Sequence, residues 1–309
     1  MRVFVTGATG FIGTAVVGEL LAAGHQVTGL ARSDASAERL AQLGAEAHRG
    51  ELSDTASLAA GARAADGVIH LAFIHDFSTY AANAETDRRA ASAMADALAG
   101  TGRPLVVTSA TAVLANAGLA LETQAPAPGS TARATSELVL AAAANGVRVS
   151  AVRLAPSVHG AGDYGFVPAL IAIARKTGVA AYIGDGENRW PAVHRLDAAR
   201  LFRLALEKAA PGSRVHGVAE EGIPMRRIAE AIGAGLGLPT RSLTTEDAVM
   251  HFGWLSRFAG IDNPTSSALT RETLGWHPAG PDLLTDIREN GYFASAEPSG
   301  AEEPAANGG

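Results

Sequence analysis

Val3-Phe4-Val5-Thr6-Gly7-Ala8-Thr9-Gly10-Phe11-Ile12-Gly13 is the stretch that decides the fold. Its β-branched and aromatic start reads as a strand. Three glycines then turn the chain into a helix that Val16, Val17, Leu20 and Leu21 continue. The spacing has a chemical reason: one glycine permits the tight turn, one lets the backbone approach a pyrophosphate, and one lets helix pack on strand. Unpaired N–H groups and the helix dipole favour anions at that helix N-terminus. Gly7, Thr9, Gly10, Phe11, Ile12 and Gly13 are therefore the expected cradle of a dinucleotide.

Outward from this turn, apolar runs alternate with helical patterns, which implies a parallel sheet of right-handed βαβ units. The expected class is α/β: a doubly wound, Rossmann-type parallel sheet with a small C-terminal substrate domain. Strands are expected near Arg2–Thr6, Gln26–Ala31, Ala45–Arg49, Gly67–Leu71, Leu105–Ser109, Val147–Leu154 and Arg214–Val218. Helices fill the gaps at Thr14–Ala23, Ala35–Gln42, Thr55–Ala62, Glu85–Ala99, Thr131–Asn145 and Asp197–Glu207. Residues 1–154 and 191–218 read as the dinucleotide-binding domain. The irregular, aromatic-bearing segments 155–190 and 219–293 read as the substrate side, and 294–309 as an acidic, disordered tail.

The 309 residues suffice for a large core, and 47% of them are apolar. A net charge of −6 without any basic run argues against a nucleic-acid partner. No cysteine is present, which excludes disulfides and thiolate chemistry and suits a cytoplasmic protein. No apolar run nears the ~20 residues of a bilayer span, and the chain opens directly on its first strand, so neither membrane nor signal peptide is expected. The histidines form no His-x-x-x-His pair or convincing carboxylate cluster, so no metal site is expected. The expected partner is a small-molecule substrate; a homodimer stays open.

Arg32 and Ser33 close the second strand. An acidic residue there would hold the ribose 2′-OH of NAD, whereas arginine accommodates the 2′-phosphate of NADP. NADP(H) is the expected cofactor, with NAD(H) second. The loop from Ile74 to Tyr80 holds His75 and Tyr80 at the sheet's C-terminal edge, where ligands bind in open α/β folds.

The wording Thr-Gly-Ala-Thr-Gly-Phe-Ile-Gly resembles the extended short-chain dehydrogenase/reductase superfamily, its epimerase/dehydratase-like branch. That superfamily works with a Tyr-x-x-x-Lys pair. This chain has two lysines, Lys176 and Lys208, preceded four positions earlier by Ala172 and Leu204, so the pair is absent. The resemblance places Gly129 at the tyrosine and Arg133 at the lysine. Lysine's charge depresses the tyrosine pKa and its ammonium holds the ribose. Arg133 can still hold ribose hydroxyls, but it is too basic to shuttle protons. By the same resemblance Glu51 and Leu52 line the adenine pocket, and Leu71 and Ala72 run beside the cofactor. Ser109 or Thr111 flanks the catalytic hydroxyl position, taken by Ala110, and Pro156, Ser157 and Val158 pack near the nicotinamide.

These residues imply an NADPH-dependent oxidoreductase that moves hydride to or from a small carbonyl, imine or activated alkene. Two alternatives remain: a nucleotide-sugar epimerase or dehydratase, and a non-catalytic NADP(H)-binding sensor or scaffold. For the proton donor Tyr164 is favoured, because flanking glycines would let its loop act as a lid. Tyr80 and His75 stand behind it, and Tyr182 and Tyr292 are expected away from the nicotinamide.

Overall fold

The structure, a computed structural model, describes residues 1–76, 79–116, 118–127 and 131–294. The expectations for Phe77, Ser78, Gly129 and 295–309 lie outside the described residues. In chain order the first half runs β1 (Arg2–Thr6), α1 (Phe11–Ala22), β2 (Gln26–Ala31), α2 (Asp34–Gln42), β3 (Glu46–Arg49), α3 (Thr55–Ala64), β4 (Gly67–His70), α4 (Tyr80–Ala97) and β5 (Pro104–Ala110). Two 3-10 segments follow, Thr111–Leu114 and Ala132–Asn145. Then come β6 (Arg148–Leu154), β7 (Ser157–His159), α5 (Phe166–Thr177), β8 (Ala180–Ile183), β9 (Arg189–His194), α6 (Arg195–Lys208), β10 (Ser213–Gly217) and β11 (Glu220–Pro224). The chain finishes with α7 (Met225–Leu236), β12 (Thr240–Leu243), α8 (Thr245–Phe252), the 3-10 turn Gly253–Leu255, α9 (Ser256–Ala259), α10 (Ala268–Leu274) and α11 (Leu283–Glu289).

Seven strands form a parallel sheet in the order β10-β6-β5-β4-β1-β2-β3. Side chains alternate across it, as the period of two demands. Val3 and Val5 of β1 join the core under α1 and α6, while Phe4 joins the opposite core with Leu58, Met94 and Leu98. Both faces are covered, which is why the strands read as continuous apolar runs. The strand order reverses between β1 and β4, the place where open α/β sheets leave a crevice for ligands.

Three helical stretches depart from expectation. Helix α1 begins at Phe11 rather than Thr14, because Gly10 already serves as its N-cap. Helix α4 begins at Tyr80 rather than Glu85. The alanines between them are strong helix formers and extend it backwards. Tyr80 thus opens a helix and does not close a loop. The stretch expected as an α-helix over Thr131–Asn145 winds as a 3-10 helix, capped by the Thr131 side chain and ended by Gly146 at φ 74°.

A second core gathers Val167, Leu170, Trp190, Ile228, Ile232, Phe252, Leu283 and Ile287 from the segments expected on the substrate side. The division is less clean than the sequence suggests. Trp276, expected on that side, lies in the main core, where its indole N–H donates to the Asp197 carbonyl at 3.0 Å. No helix of the described residues is long and apolar enough to cross a membrane.

Candidate active site

The turn after β1 is built around atoms rather than side chains. A Cβ on Gly13 would fall 2.0 Å from the Gly7 carbonyl oxygen, so only glycine lets α1 pack this close. At Gly10 the nearest atom to a Cβ is that same oxygen, at 3.3 Å, and the N-cap has no side-chain partner. The approach to the first turn of α1 is therefore clear of side-chain atoms from the cap itself. Phe11 and Ile12 are half-buried at that end. Leu71 and Ala72 continue β4 directly beneath it. The Ala72 N–H donates to Thr6 Oγ1 at 3.2 Å, and the Leu71 N–H to the Thr6 carbonyl at 3.2 Å.

Beyond Thr9 a cleft of about 330 Å³ is lined by Ala35, Ser36, Glu38, Arg39 and Gln42 of α2. Arg32 is exposed at the end of β2 beside it. Ser33 caps α2, its hydroxyl accepting the Ser36 N–H at 3.2 Å and lying 3.0 Å from Ser36 Oγ. The neighbouring carboxylate of Asp34 is held by Arg49 at 2.5 Å. Glu51 is exposed and accepts a hydrogen bond from Ser53 at 2.7 Å, while Leu52 packs against the core under α3 and α4. The glycine turn, the helix end and the basic residue after β2 are the parts a dinucleotide requires, and they fit one.

At the C-terminal edges of β4 and β5 a polar cluster surrounds Arg133. The 3-10 winding places residues three apart on one face, so Arg133 and Ser136 both reach Asp87 of α4. Ser136 Oγ donates to Asp87 Oδ2 at 2.6 Å, and Arg133 Nη1 lies 3.4 Å from the same oxygen. The other Asp87 oxygen faces His70 Nε2 at 3.2 Å, and His70 Nδ1 meets Thr6 Oγ1 at 2.6 Å. Burial pushes the Asp87 carboxyl up, but His70, Arg133 and Ser136 outweigh it and hold the pKa below the ordinary value. Arg133 Nη2 donates to the Thr108 carbonyl at 2.8 Å. Its Nη1 is buried without a hydrogen-bond partner. The guanidinium carbon sits 4.0 Å from the centre of the Phe73 ring, against which Tyr80 and His75 pack at 5.8 and 5.2 Å.

Neither hydroxyl expected at the substrate, Ser109 of β5 and Thr111 just after it, points there. Ser109 Oγ donates to Glu137 at 3.0 Å, and Thr111 Oγ1 donates to Asn263 Oδ1 at 2.7 Å. Both residues are buried, Ser109 at 2% exposure and Thr111 at 0%. Each hydroxyl prefers an internal acceptor because a buried donor left unpaired is costly. Pro156 follows β6 and is half-buried, whereas Ser157 and Val158, expected on a turn, open β7 and pair with Ala192 and Val193 of β9; Val158 is half-buried, and Ser157 is buried with no hydrogen-bond partner for its Oγ.

Tyr164 is 74% exposed and rests edge-on against Phe11 at 5.9 Å. Its loop is pinned by a residue the sequence placed elsewhere: the Tyr292 hydroxyl accepts the Gly160 N–H at 3.2 Å and donates to Asp163 at 2.8 Å. Sequence reading also missed Phe73 and Asp87. A signal for Asp87 exists, since it is a lone carboxylate on the α4 stripe otherwise made of Ala84, Ala91 and Met94.

The pattern that defines the NAD dependent epimerase/dehydratase family matches residues 3–217. An uncharacterized protein of Schizosaccharomyces pombe is 50% identical over 295 residues, 95% of this chain and 100% of its own length. A 2-alkyl-3-oxoalkanoate reductase of Stenotrophomonas maltophilia is 32% identical across 77% of each chain. Among solved structures, a dTDP-glucose 4,6-dehydratase of Streptomyces venezuelae with NAD bound superposes with a TM-score of 0.74 at 21% identity, covering 93% of this chain and 96% of the other. The chain belongs to the NAD dependent epimerase/dehydratase family.

Proposed function

We propose that this protein is an NADPH-dependent oxidoreductase that transfers hydride to or from a small carbonyl, imine or activated alkene in the cytoplasm. The observation that carries the reading is a pair of buried polar atoms that make no hydrogen bond in the protein: Ser157 Oγ at the start of β7, and Arg133 Nη1, whose one protein contact is the 3.4 Å ion pair with Asp87. Buried polar atoms are normally paired, and unpaired ones at a ligand crevice await a ligand. The resemblance to a reductase of oxoalkanoates supports a carbonyl substrate.

The bound dinucleotide supplies or accepts the hydride. Residues Gly7 to Gly13 hold its pyrophosphate, and Arg32 with Ser33 meets the 2′-phosphate. Leu52 and Glu51 border the adenine, and Leu71 and Ala72 flank the ribose and pyrophosphate. Arg133 donates to the nicotinamide ribose, and Pro156, Ser157 and Val158 frame the ring. Arg133 keeps its charge throughout, so it orients and stabilises but moves no proton.

One observation favours the non-catalytic NADP(H) sensor: Ser109 and Thr111 both spend their hydroxyls inside the protein. Titration of NADPH and NADH into the protein tests the cofactor. NADPH is expected to bind at least tenfold tighter, about 1.4 kcal/mol. Arg32→Glu is expected to erase or invert the preference. Equal affinities in the unmodified protein contradict the assignment.

A further inference from the structure

We infer that Arg195, the first residue of α6, is a second anchor for the pyrophosphate of the dinucleotide, adding a positive charge that the glycine turn itself lacks. The inference rests on the dinucleotide reading and deepens it. The glycine spacing does not reveal this side chain, because it comes from an element far along the chain and meets the turn only in the fold.

The loop after β7 is shaped around Arg195. Gly160 and Gly162 take φ 139° and 83°, a conformation that residues with side chains rarely adopt. A Cβ on Gly160 would fall 2.9 Å from Arg195 Cγ and 3.0 Å from its Cδ, so the missing side chain leaves the channel that the arginine stem occupies. Arg195 Nη1 donates to the Ala161 carbonyl at 2.7 Å. The guanidinium carbon then lies 5.0 Å from the centre of the Phe11 ring. Phe11 is the first residue of α1, next to the Gly10 N-cap that has no side-chain partner. The cation is thus delivered to the entrance of the helix expected to hold the phosphates.

Its charge is unbalanced there, because the carboxylates on the two flanking segments are committed elsewhere. Asp163, in the loop, accepts from the Gly165 N–H at 2.7 Å with one oxygen and from the Tyr292 hydroxyl at 2.8 Å with the other. Asp197, in the first turn of α6, accepts from the Ala279 and Gly280 N–H groups at 3.0 and 2.7 Å and pairs with Arg200 at 3.4 Å. Neither forms an ion pair with Arg195.

Both helix dipoles oppose the cation, which stands at the first residue of α6 and beside the first residue of α1. An anion between the guanidinium and the α1 N–H groups removes that conflict. Arginine suits the task, since its planar fork takes two phosphate oxygens at once. The pyrophosphate is the anion that the glycine turn accommodates. A substrate carboxylate is the other source of such oxygens, and the experiment separates the two.

The test reads bound NADP⁺ by phosphorus NMR in the full chain, where the pyrophosphate and the 2′-phosphate report separately. In Arg195→Met the pyrophosphate resonances are expected to move while the 2′-phosphate resonance stays, and calorimetric affinity for NADP⁺ is expected to fall about tenfold or more. Arg195→Lys, which keeps the charge without the fork, is expected to recover part of that affinity. Added salt is expected to weaken binding more steeply in the unmodified protein than in Arg195→Met. Pyrophosphate resonances and affinity indifferent to residue 195 overturn the anchor. So does a 2′-phosphate resonance displaced as far as the pyrophosphate, which marks a general disturbance of the loop. Retained dinucleotide affinity with loss only of acetoacetate contact in saturation-transfer NMR also overturns it and gives the cation to a substrate carboxylate. NAD⁺ carries the same pyrophosphate. If the unmodified protein prefers NAD⁺ and its pyrophosphate still responds to residue 195, the anchor stands and the NADPH reading fails.

Discussion

Arg153 and Arg133 lie on adjoining elements, and both are buried, yet their surroundings differ in a way that separates scaffold from site. Every nitrogen of Arg153 has a partner. Nε and Nη2 donate to the Glu137 carboxylate at 2.6 and 2.8 Å, Nη2 also to the Gln124 carbonyl at 2.9 Å, and Nη1 reaches His216 Nε2 at 3.2 Å. The Glu137 carboxylate is further held by Arg214 at 2.7 Å and Ser109 at 3.0 Å. Arg133, by contrast, has one firm backbone acceptor on Nη2, an aromatic face, and an Nη1 that makes no hydrogen bond and only a 3.4 Å ion pair with Asp87. A completed network fixes β5, β6 and β10 together. The incomplete one, at the C-terminal edges of β4 and β5, leaves a buried donor without a hydrogen bond.

The sharpest way to break this comparison is to remove each arginine in turn. Arg153→Met leaves a buried carboxylate short of its main partner and is expected to cost roughly 3–5 kcal/mol in urea denaturation. Arg133→Met, measured without cofactor, is expected to cost far less, because the cation it removes is itself poorly satisfied. Similar losses for the two variants would erase the distinction.

Acidification probes the completed network next. Burial pushes the His216 pKa down from 6.5 to about 4. Its Nδ1 lies 2.7 Å from the Ser266 carbonyl, and its Nε2 faces Arg153, the arrangement of a neutral ring. The unfolded chain binds a proton below pH 6.5 and the folded one only below about 4, so stability is full above 6.5 and declines across that window. The shift corresponds to roughly 3 kcal/mol. As pH falls through the ordinary carboxylate range the loss continues, because Glu137 of the unfolded chain takes up a proton that the folded one, held below that range, does not. Denaturation midpoints across pH check the slope, and His216→Gln is expected to flatten it between pH 6.5 and 4. An unchanged slope in that variant would assign the pH dependence to other groups.

The comparison also shows where sequence reading succeeds. The strand–glycine turn–helix opening and the alternation of apolar strands with helices are local patterns, each legible because the physics acts over a few neighbouring residues. Arg133 was reachable by register, through Glu137 four residues on. Ser109 was not, because its hydroxyl is claimed by that same Glu137, packed from another element. Tyr80 looked like a loop residue until the alanine-rich helix extended back to include it. Tyr292 lies over a hundred positions from the loop it pins, and nothing local marks it. Contacts between distant elements escape a reading built on periodicity and spacing.

The most direct test of the division between scaffold and site is calorimetric titration of NADPH into Arg133→Met, read beside its cofactor-free unfolding midpoint. The account predicts binding weakened about tenfold or more, equivalent to ~1.4 kcal/mol, with the midpoint essentially retained. Unchanged NADPH affinity together with a loss of stability as large as that of Arg153→Met would make Arg133 another part of the scaffold and contradict the account.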